Sequence, residues 1–475
     1  MKPDERSDSG REEEEFIRLM RCGHGRCAVM LQGAPERYRE AVRYGCLNDL
    51  SYDMQCEGSR GGYMYRLACR FGENGDFLAE AAEKLLREEP LGNWNLFCHL
   101  CDFVAGYAFD GNAFAAGVLE ETYVRLFRGI MTTRAGAAHS ALVDSYEYTA
   151  ILLMQLKGSE RLTELAGDMG AYFIRRRRAE DSSLQGDFLW FFTCAAEKYE
   201  EDFLQKLDQT SPQLRRFVRV MGSGRKYHAR MSEAPNAGEI CERVSAGGAG
   251  PRERVLFGRQ AGTEEKRKLA EAALAEKDEE RAAALLRMFT AEYNVFPLDP
   301  APLIQYAVCR RGERRDAALD ALSYIRADSV HKLAVRLLDG ADSMENGTDG
   351  GLASSAAEVS GISDASVAAD ALCMLLRNYR ESDFNLLLRA LGRLEIDPED
   401  GNGWHGVVCR ILDEAEQSGL PDEALRFVYE KSICSCCRKD AVELMQKRGI
   451  LTGALAEECL FDCNEEIREL AGRPA

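Results

Sequence analysis

The sequence predicts an all-α protein built as a stack of short helical hairpins, and three observations carry that prediction. Apolar residues recur at helical spacing along nearly the whole chain, no sustained period-two run stands between turn residues, and proline is scarce, with 12 in 475 residues. From Phe384 onward, Phe384, Leu387, Leu388, Leu391 and Leu394 fall on one helical face, with Arg389 and Arg393 off the stripe. Val330, Leu333, Ala334, Leu337 and Leu338 repeat the pattern behind Asp328, which is placed as an N-cap. Phe114, Val118, Leu119, Tyr123, Leu126, Phe127 and Ile130 trace a longer amphipathic helix.

The helices are about 10–20 residues long and are joined by brief turns carrying Gly, Asp, Asn or Pro. A long chain of such pairs has no single large core, so each hairpin buries its faces against its neighbours, and alternating Ala and Leu let the helices approach closely. At the C-terminus, helices are expected over 421–429, 436–448, 452–460 and 464–471. Breaks in the pattern organise the chain. Residues 1–10 are expected to be disordered and 11–245 to form an N-terminal helical-repeat lobe. A loop or linker rich in Gly, Ser and Ala follows at 246–263, then middle helical repeats at 264–340. A flexible insertion at 341–365, rich in Gly, Ser, Ala and Asp, precedes C-terminal repeats at 366–475.

The charge balance is acidic, with 79 Asp and Glu against 61 Lys and Arg, a formal net charge of -18. That weighs against general nucleic-acid binding and against polybasic membrane attachment, both of which need an excess of cations to meet phosphate. No apolar run approaches the ~20 residues that span a bilayer, and the N-terminal stretch containing Glu12 to Glu15 lacks a signal-type apolar core. A cytoplasmic protein is therefore expected. In that compartment most of the 17 cysteines, such as Cys69, Cys194, Cys309, Cys373 and Cys409, read as small buried thiols.

Two segments carry a family resemblance. Tyr44-Gly-Cys-Leu-Asn-Asp-Leu-Ser-Tyr-Asp-Met-Gln-Cys-Glu-Gly-Ser-Arg-Gly-Gly-Tyr-Met-Tyr resembles the N-terminal signature of uncharacterised bacterial HEAT-like-repeat proteins. Tyr429-Glu-Lys-Ser-Ile-Cys-Ser-Cys-Cys-Arg and Glu457-Glu-Cys-Leu-Phe-Asp-Cys-Asn-Glu-Glu-Ile-Arg-Glu-Leu are similar to their C-terminal repeats. The resemblance implies an ARM/HEAT α-α superhelix, a HEAT-like solenoid of stacked helical hairpins, and implies no activity. On that fold the expected role is a non-enzymatic scaffold that binds a protein or peptide, basic in character, on its concave face. The alternative is a nucleic-acid-acting enzyme of DNA-glycosylase type, for which Arg175 to Arg178 and the neighbourhood of Arg215, Arg216, Arg219, Arg225 and Lys226 are the basic candidates. Four consecutive arginines point all round a helix, so that run makes no one-sided stripe.

Two constellations stand out. If Asp53 caps a helix running to about residue 70, Glu57 and Arg60 stand three apart and pair. With Gln55 they form a polar knot, and Asp110, Asn112, Asp144 and Glu147, read as the starts of later helices, extend it into an acidic binding edge. The plainer reading is a set of N-caps and ion pairs. The second constellation is cysteine-rich: Cys434 with Cys437 and Cys459 with Cys463 give two thiolate pairs of the kind that tetrahedral zinc requires. Zinc is the one cofactor the sequence suggests, against a competing reading as packed thiols. Cys98-His-Leu-Cys101 lies inside a helical pattern with no strand before it, so it reads as core and not as a redox centre. His24, between two glycines, reads as a break between helices. Motifs for zincins, P-loops, nucleophile elbows and dinucleotide binding are absent from the sequence.

Overall fold

Capping residues set many of the helix ends. Asn93, Asn112 and Asp278 each accept a hydrogen bond from the backbone N–H three residues on, and Asn236 with Glu239 forms a reciprocal capping box. The computed structural model describes residues 3–87, 92–133, 136–175, 207, 210–222, 235–247, 250–309, 312–345, 365–394, 401–417 and 419–472. The chain is all-α. Among the described residues the extended structure is one two-residue antiparallel ladder, β1 (Thr290–Ala291) with β2 (Asn294–Val295).

The chain divides into two compact units, the first comprising Met1–His228, Ile433–Cys436 and Thr452–Pro474, the second Ala229–Ser432 and Cys437–Leu451. The division falls before the expected 246–263 linker, and the expected C-terminal repeats are shared between the units. Within the linker itself, Pro251–Gln260 is helical, with Pro251 in the first turn where its missing N–H costs no hydrogen bond. Helix also replaces the disorder expected over 1–10, from Pro3 onward. Of the expected insertion, 346–364 lies outside the described residues, while its first five residues continue a helix.

In the first unit the helices are α1 (Pro3–Cys22), α2 (Arg26–Gly33), α3 (Arg39–Leu47), α4 (Met54–Glu57), α5 (Gly61–Ala68), α6 (Gly75–Arg87), α7 (Trp94–Phe109), α8 (Ala113–Thr132), α9 (Ala137–Lys157), α10 (Ser159–Arg175) and α11 (Pro212–Gly222). Most of the packing is between near neighbours in sequence: α5 on α7, α7 on α8, α8 on α9, α10 on α11. Short turns favour this, because a helix that ends abruptly must fold back on the one before it. The apolar stripe of α8 is buried as its spacing predicts at Val118, Leu119, Tyr123, Leu126 and Ile130, but Phe114 is exposed. Hydroxyl groups tie the interior: Tyr123 shares a 2.7 Å hydrogen bond with Tyr146 and also donates to Asp168.

The second unit contains α12 (Ala237–Ser245), α13 (Pro251–Gln260), α14 (Thr263–Ala275), α15 (Glu279–Leu286), α16 (Ala301–Cys309), α17 (Glu313–Leu322), α18 (Asp328–Glu345), α19 (Ala365–Arg377), α20 (Phe384–Arg393), α21 (Gly401–Gln417), α22 (Asp422–Lys431) and most of α23 (Ser435–Lys447). Here α14 packs on α15, α15 on α17, α18 on α19 and α19 on α21. Its polar interior is ionic. The buried Glu414 carboxylate accepts from Arg326 and from Arg377, both at 2.7 Å, and Arg377 reaches Glu292 at 2.7 Å with its other arm.

The last two helices, α24 (Ala454–Cys459) and α25 (Glu465–Gly472), return to the first unit, where α24 packs on α2. The turn between α1 and α2 receives them. Cys463 N–H donates to the Gly23 carbonyl at 2.9 Å, and Arg26 pairs with Glu458 at 2.9 Å. A Cβ on Gly25 would lie 1.8 Å from the Glu458 carbonyl oxygen, so only glycine permits this approach.

Two predictions follow from these contacts. Gly25→Ala should cost about 2–4 kcal/mol, because it drives a methyl group into backbone, and should expose 452–472 to protease while the second unit keeps its protection. Limited proteolysis with mass mapping reads this; an unchanged cleavage pattern contradicts it. In α17, burial pushes the Asp320 carboxyl up to about 6, only partly offset by Arg287, Arg254 and Arg410. A carboxyl raised in the folded state costs stability once it ionises. Asp320→Asn should therefore stabilise the chain by about 2–3 kcal/mol at about pH 8, with the gain vanishing below about pH 4. Urea titrations across that range measure it, and a pH-independent difference would show that Asp320 does not titrate this way.

Candidate functional site

The polar knot forms, by a different local route from the one its spacing suggests. Asp53 precedes α4, whose single turn ends at Glu57, and Gly58 at φ +71° breaks the chain before α5 begins at Gly61. There is no continuous helix from Asp53 to about residue 70, because the left-handed glycine ends it. Glu57 and Arg60 still pair across the break at 2.9 Å, with side chains 0% and 1% exposed. The Glu57 carboxylate also accepts the backbone N–H groups of Tyr52 and, on its other oxygen, Ser435. Arg60 donates onward from Nη1 to Cys463 Sγ at 2.7 Å. Gln55 lies in α4, and its side chain falls outside the described residues.

The remaining members of the expected acidic edge are not helix starts in a row. Asn112 is the N-cap of α8, as expected, but Asp110 is the C-cap of α7 and accepts a hydrogen bond from Tyr65. Asp144 and Glu147 sit well inside α9, which begins at Ala137 after Gly136; Asp144 is exposed and Glu147 buried. The turn bearing Asp110 and Asn112 is flanked by two exposed aromatics, Phe109 at 47% and Phe114 at 58%. Periodicity places Phe114 on the apolar stripe and so misses its exposure.

A second, half-buried carboxylate lies on α7. Asp102 Oδ2 accepts from Ser59 Oγ and, at 2.7 Å, from the Tyr148 hydroxyl, and burial raises its carboxyl above the usual range. Trp94 meets Tyr148 edge to face at 5.9 Å. Cys98 and Cys101 lie in the continuous helix α7, both fully buried, and desolvation pushes both thiols far up, so they remain protonated core groups. His99 is equally buried; desolvation lowers it to about 4, and Nε2 contacts the Gly45 carbonyl at 2.9 Å. His24 stands at the break between α1 and α2, its Nδ1 accepting from Arg26 N–H at 3.1 Å.

The expected cysteine quartet is divided between the two units. Cys434, Cys459 and Cys463 belong to the first unit, where Cys459 is buried and Cys463 takes the Arg60 hydrogen bond; Cys437 belongs to the second. Among the described residues, the group of three able to hold a metal ion is His405, Cys409 and Cys437, with donor atoms all within 4.8 Å of one another. His405 and Cys409 stand four apart on α21, a spacing visible in the sequence that attention to cysteine pairs passes over. Of the other cysteines read as core, Cys373 is buried, Cys69 and Cys409 are exposed, and the side chains of Cys194 and Cys309 lie outside the described residues.

The basic neighbourhoods are only partly described. Arg175 ends α10 and Arg215, Arg216 and Arg219 lie on α11, while Arg176 to Arg178, Arg225 and Lys226 fall outside the described residues. An open depression of about 500 Å³ between α12 and α14 is lined by Asn236, Cys241, Glu265 and Lys268, but Glu265 is already engaged by Lys268 at 2.8 Å and by Ala237 N–H at 2.9 Å. No described helix is long and apolar enough to cross a membrane.

No protein-family model matches the chain, and no curated protein matches its sequence. A solved structure described as the crystal structure of SYS-1 is similar at a TM-score of 0.25 and 10% identity, covering 98% of each chain, a likeness too slight to carry an argument.

The Glu57–Arg60 pair makes a sharp prediction. Glu57→Gln strands a buried guanidinium and should cost about 3–5 kcal/mol, whereas Glu57→Gln combined with Arg60→Met should recover a large part of that loss. Guanidinium denaturation of the two single variants and the double variant measures the coupling, and additive losses would mean that the pair does not act as a unit.

Proposed function

We propose that this chain is a non-enzymatic, HEAT-like helical-repeat scaffold that binds a protein or peptide on the concave face such a stack provides. Packing between sequence neighbours in both units supports the repeat reading, since each helix leans on those next to it along the chain. The observation that carries the binding reading is the α7–α8 turn, where exposed Phe109 and Phe114 flank Asp110 and Asn112. Two exposed aromatics beside an acidic and an amide group offer apolar anchors with a polar rim, the composition that protein partners use. The net charge of -18 favours a basic partner through long-range attraction. A cytoplasmic setting accords with that reading.

The test compares wild type with Phe109→Ser/Phe114→Ser as baits in native lysate, with circular dichroism confirming equal helicity. The proposal expects a protein retained by wild type, lost from the double variant by at least about tenfold, and released as salt rises above about 0.15 M. Equal retention by both baits would overturn the assignment of this turn. Recovery of nucleic acid alone would overturn the scaffold reading in favour of a glycosylase-type enzyme.

A further inference from the structure

We propose that His405, Cys409 and Cys437 form a binding site for a thiophilic divalent cation, zinc by the chemistry of the donors. The site is independent of the scaffold proposal and lies within the second unit. Helix α21 places His405 and Cys409 one turn apart, so both side chains leave the same face of the helix. Cys437 comes from the first turn of α23, and its thiol stands 3.2 Å from His405 Nε2. The three elements of the set differ usefully: Cys437 is buried, His405 half-buried and Cys409 exposed.

The distances suit the ion. With zinc–sulfur bonds of about 2.3 Å and zinc–nitrogen bonds of about 2.0–2.1 Å, tetrahedral ligands stand about 3.6–3.8 Å apart. The three donor atoms already lie within 4.8 Å of one another, so binding needs side-chain adjustments of about an ångström and no movement of the helices. One imidazole and two thiols select zinc over magnesium or calcium, which take oxygen donors. Binding converts Cys409 and Cys437 to thiolates and releases their protons to solvent. Three protein ligands leave the fourth tetrahedral position for water or an external donor, on the side where Cys409 reaches solvent. The ion would also clamp α21 to α23, so that occupancy and folding of the second unit are linked.

The experiment uses the reduced full-length chain with cobalt(II) as the spectroscopic probe and zinc in competition against a chromophoric chelator. The proposal expects one equivalent of cobalt bound with tetrahedral visible bands and a thiolate-to-cobalt charge-transfer band, displaced by zinc. Cys409→Ser, at an exposed position that leaves packing intact, should weaken zinc at least tenfold and reduce the charge-transfer intensity. His405→Ala/Cys409→Ser/Cys437→Ser should abolish both signals, while Cys459→Ser should leave them unchanged. A zinc-dependent rise in melting temperature present in wild type and absent in Cys409→Ser gives a second readout. Absence of cobalt bands in the folded wild-type chain overturns the site, as do bands that survive the triple variant or disappear with Cys459→Ser.

Discussion

A buried carboxylate facing a buried guanidinium imposes the central constraint on the first unit. Enclosing Glu57 and Arg60 calls for partners beyond each other, because an uncompensated charge in the interior costs several kcal/mol. The partners come from far along the chain: Ser435 supplies a backbone N–H to Glu57, and Cys463 accepts from Arg60. Contacts separated by hundreds of residues therefore support a pair that is itself three residues apart. The turn at Gly23 to Gly25 exists in this form because the returning segment presses its backbone there. The native packing of the first unit is therefore complete only with its last helices in place, a closure across a long stretch of sequence that serves polar satisfaction as much as apolar burial.

Helix existence and most helix ends are legible from local signals, since caps and apolar stripes act within a few residues. Asn112 caps α8, Phe384–Arg393 buries Leu387 and Leu391, and the helices expected after residue 420 appear within a residue or two of their predicted bounds. The Glu57–Arg60 pair is legible for the same reason, although Gly58 changes the backbone that carries it. What fails is any inference that joins separate helices. Asp144 and Glu147 look like a helix start only if α9 begins late, and nothing local says that it starts at Ala137. The cysteine quartet is divided between the units, and spacing does not reveal which unit a returning segment joins. The triad of His405, Cys409 and Cys437 needed the fold of α21 against α23 to be seen.

Buried polarity is met in two ways besides the Glu57–Arg60 pair. In the first unit, hydroxyls meet carboxyls: Tyr123, Tyr146 and Asp168 form one chain, and Ser59, Tyr148 and Asp102 another. Burial raises both Asp168 and Asp102, which reduces the electrostatic cost of enclosing them by favouring the neutral form. In the second unit, Glu414 instead meets two arginines, and Arg377 and Arg410 both reach Glu292. Fixed guanidinium geometry makes such a network directional, so it orients helices where a hydroxyl tie merely joins them.

Helix α21 shows what that directionality accomplishes. Val407, Val408 and Ile411 give it an apolar face in the core, as any packed helix has. Arg410 and Glu414, four residues apart, form a second face that engages Glu292, Arg326 and Arg377. His405 and Cys409 form a third, turned toward Cys437. Apolar contact alone would let the helix rotate or slip by a residue at modest cost, because Val and Ile pack in many orientations. Slipping would break several charged hydrogen bonds at once, so the ionic face fixes the rotation of the helix. That fixed rotation is what holds an imidazole and a thiol one turn apart in front of a third donor, so the triad depends on charged residues that do not touch it.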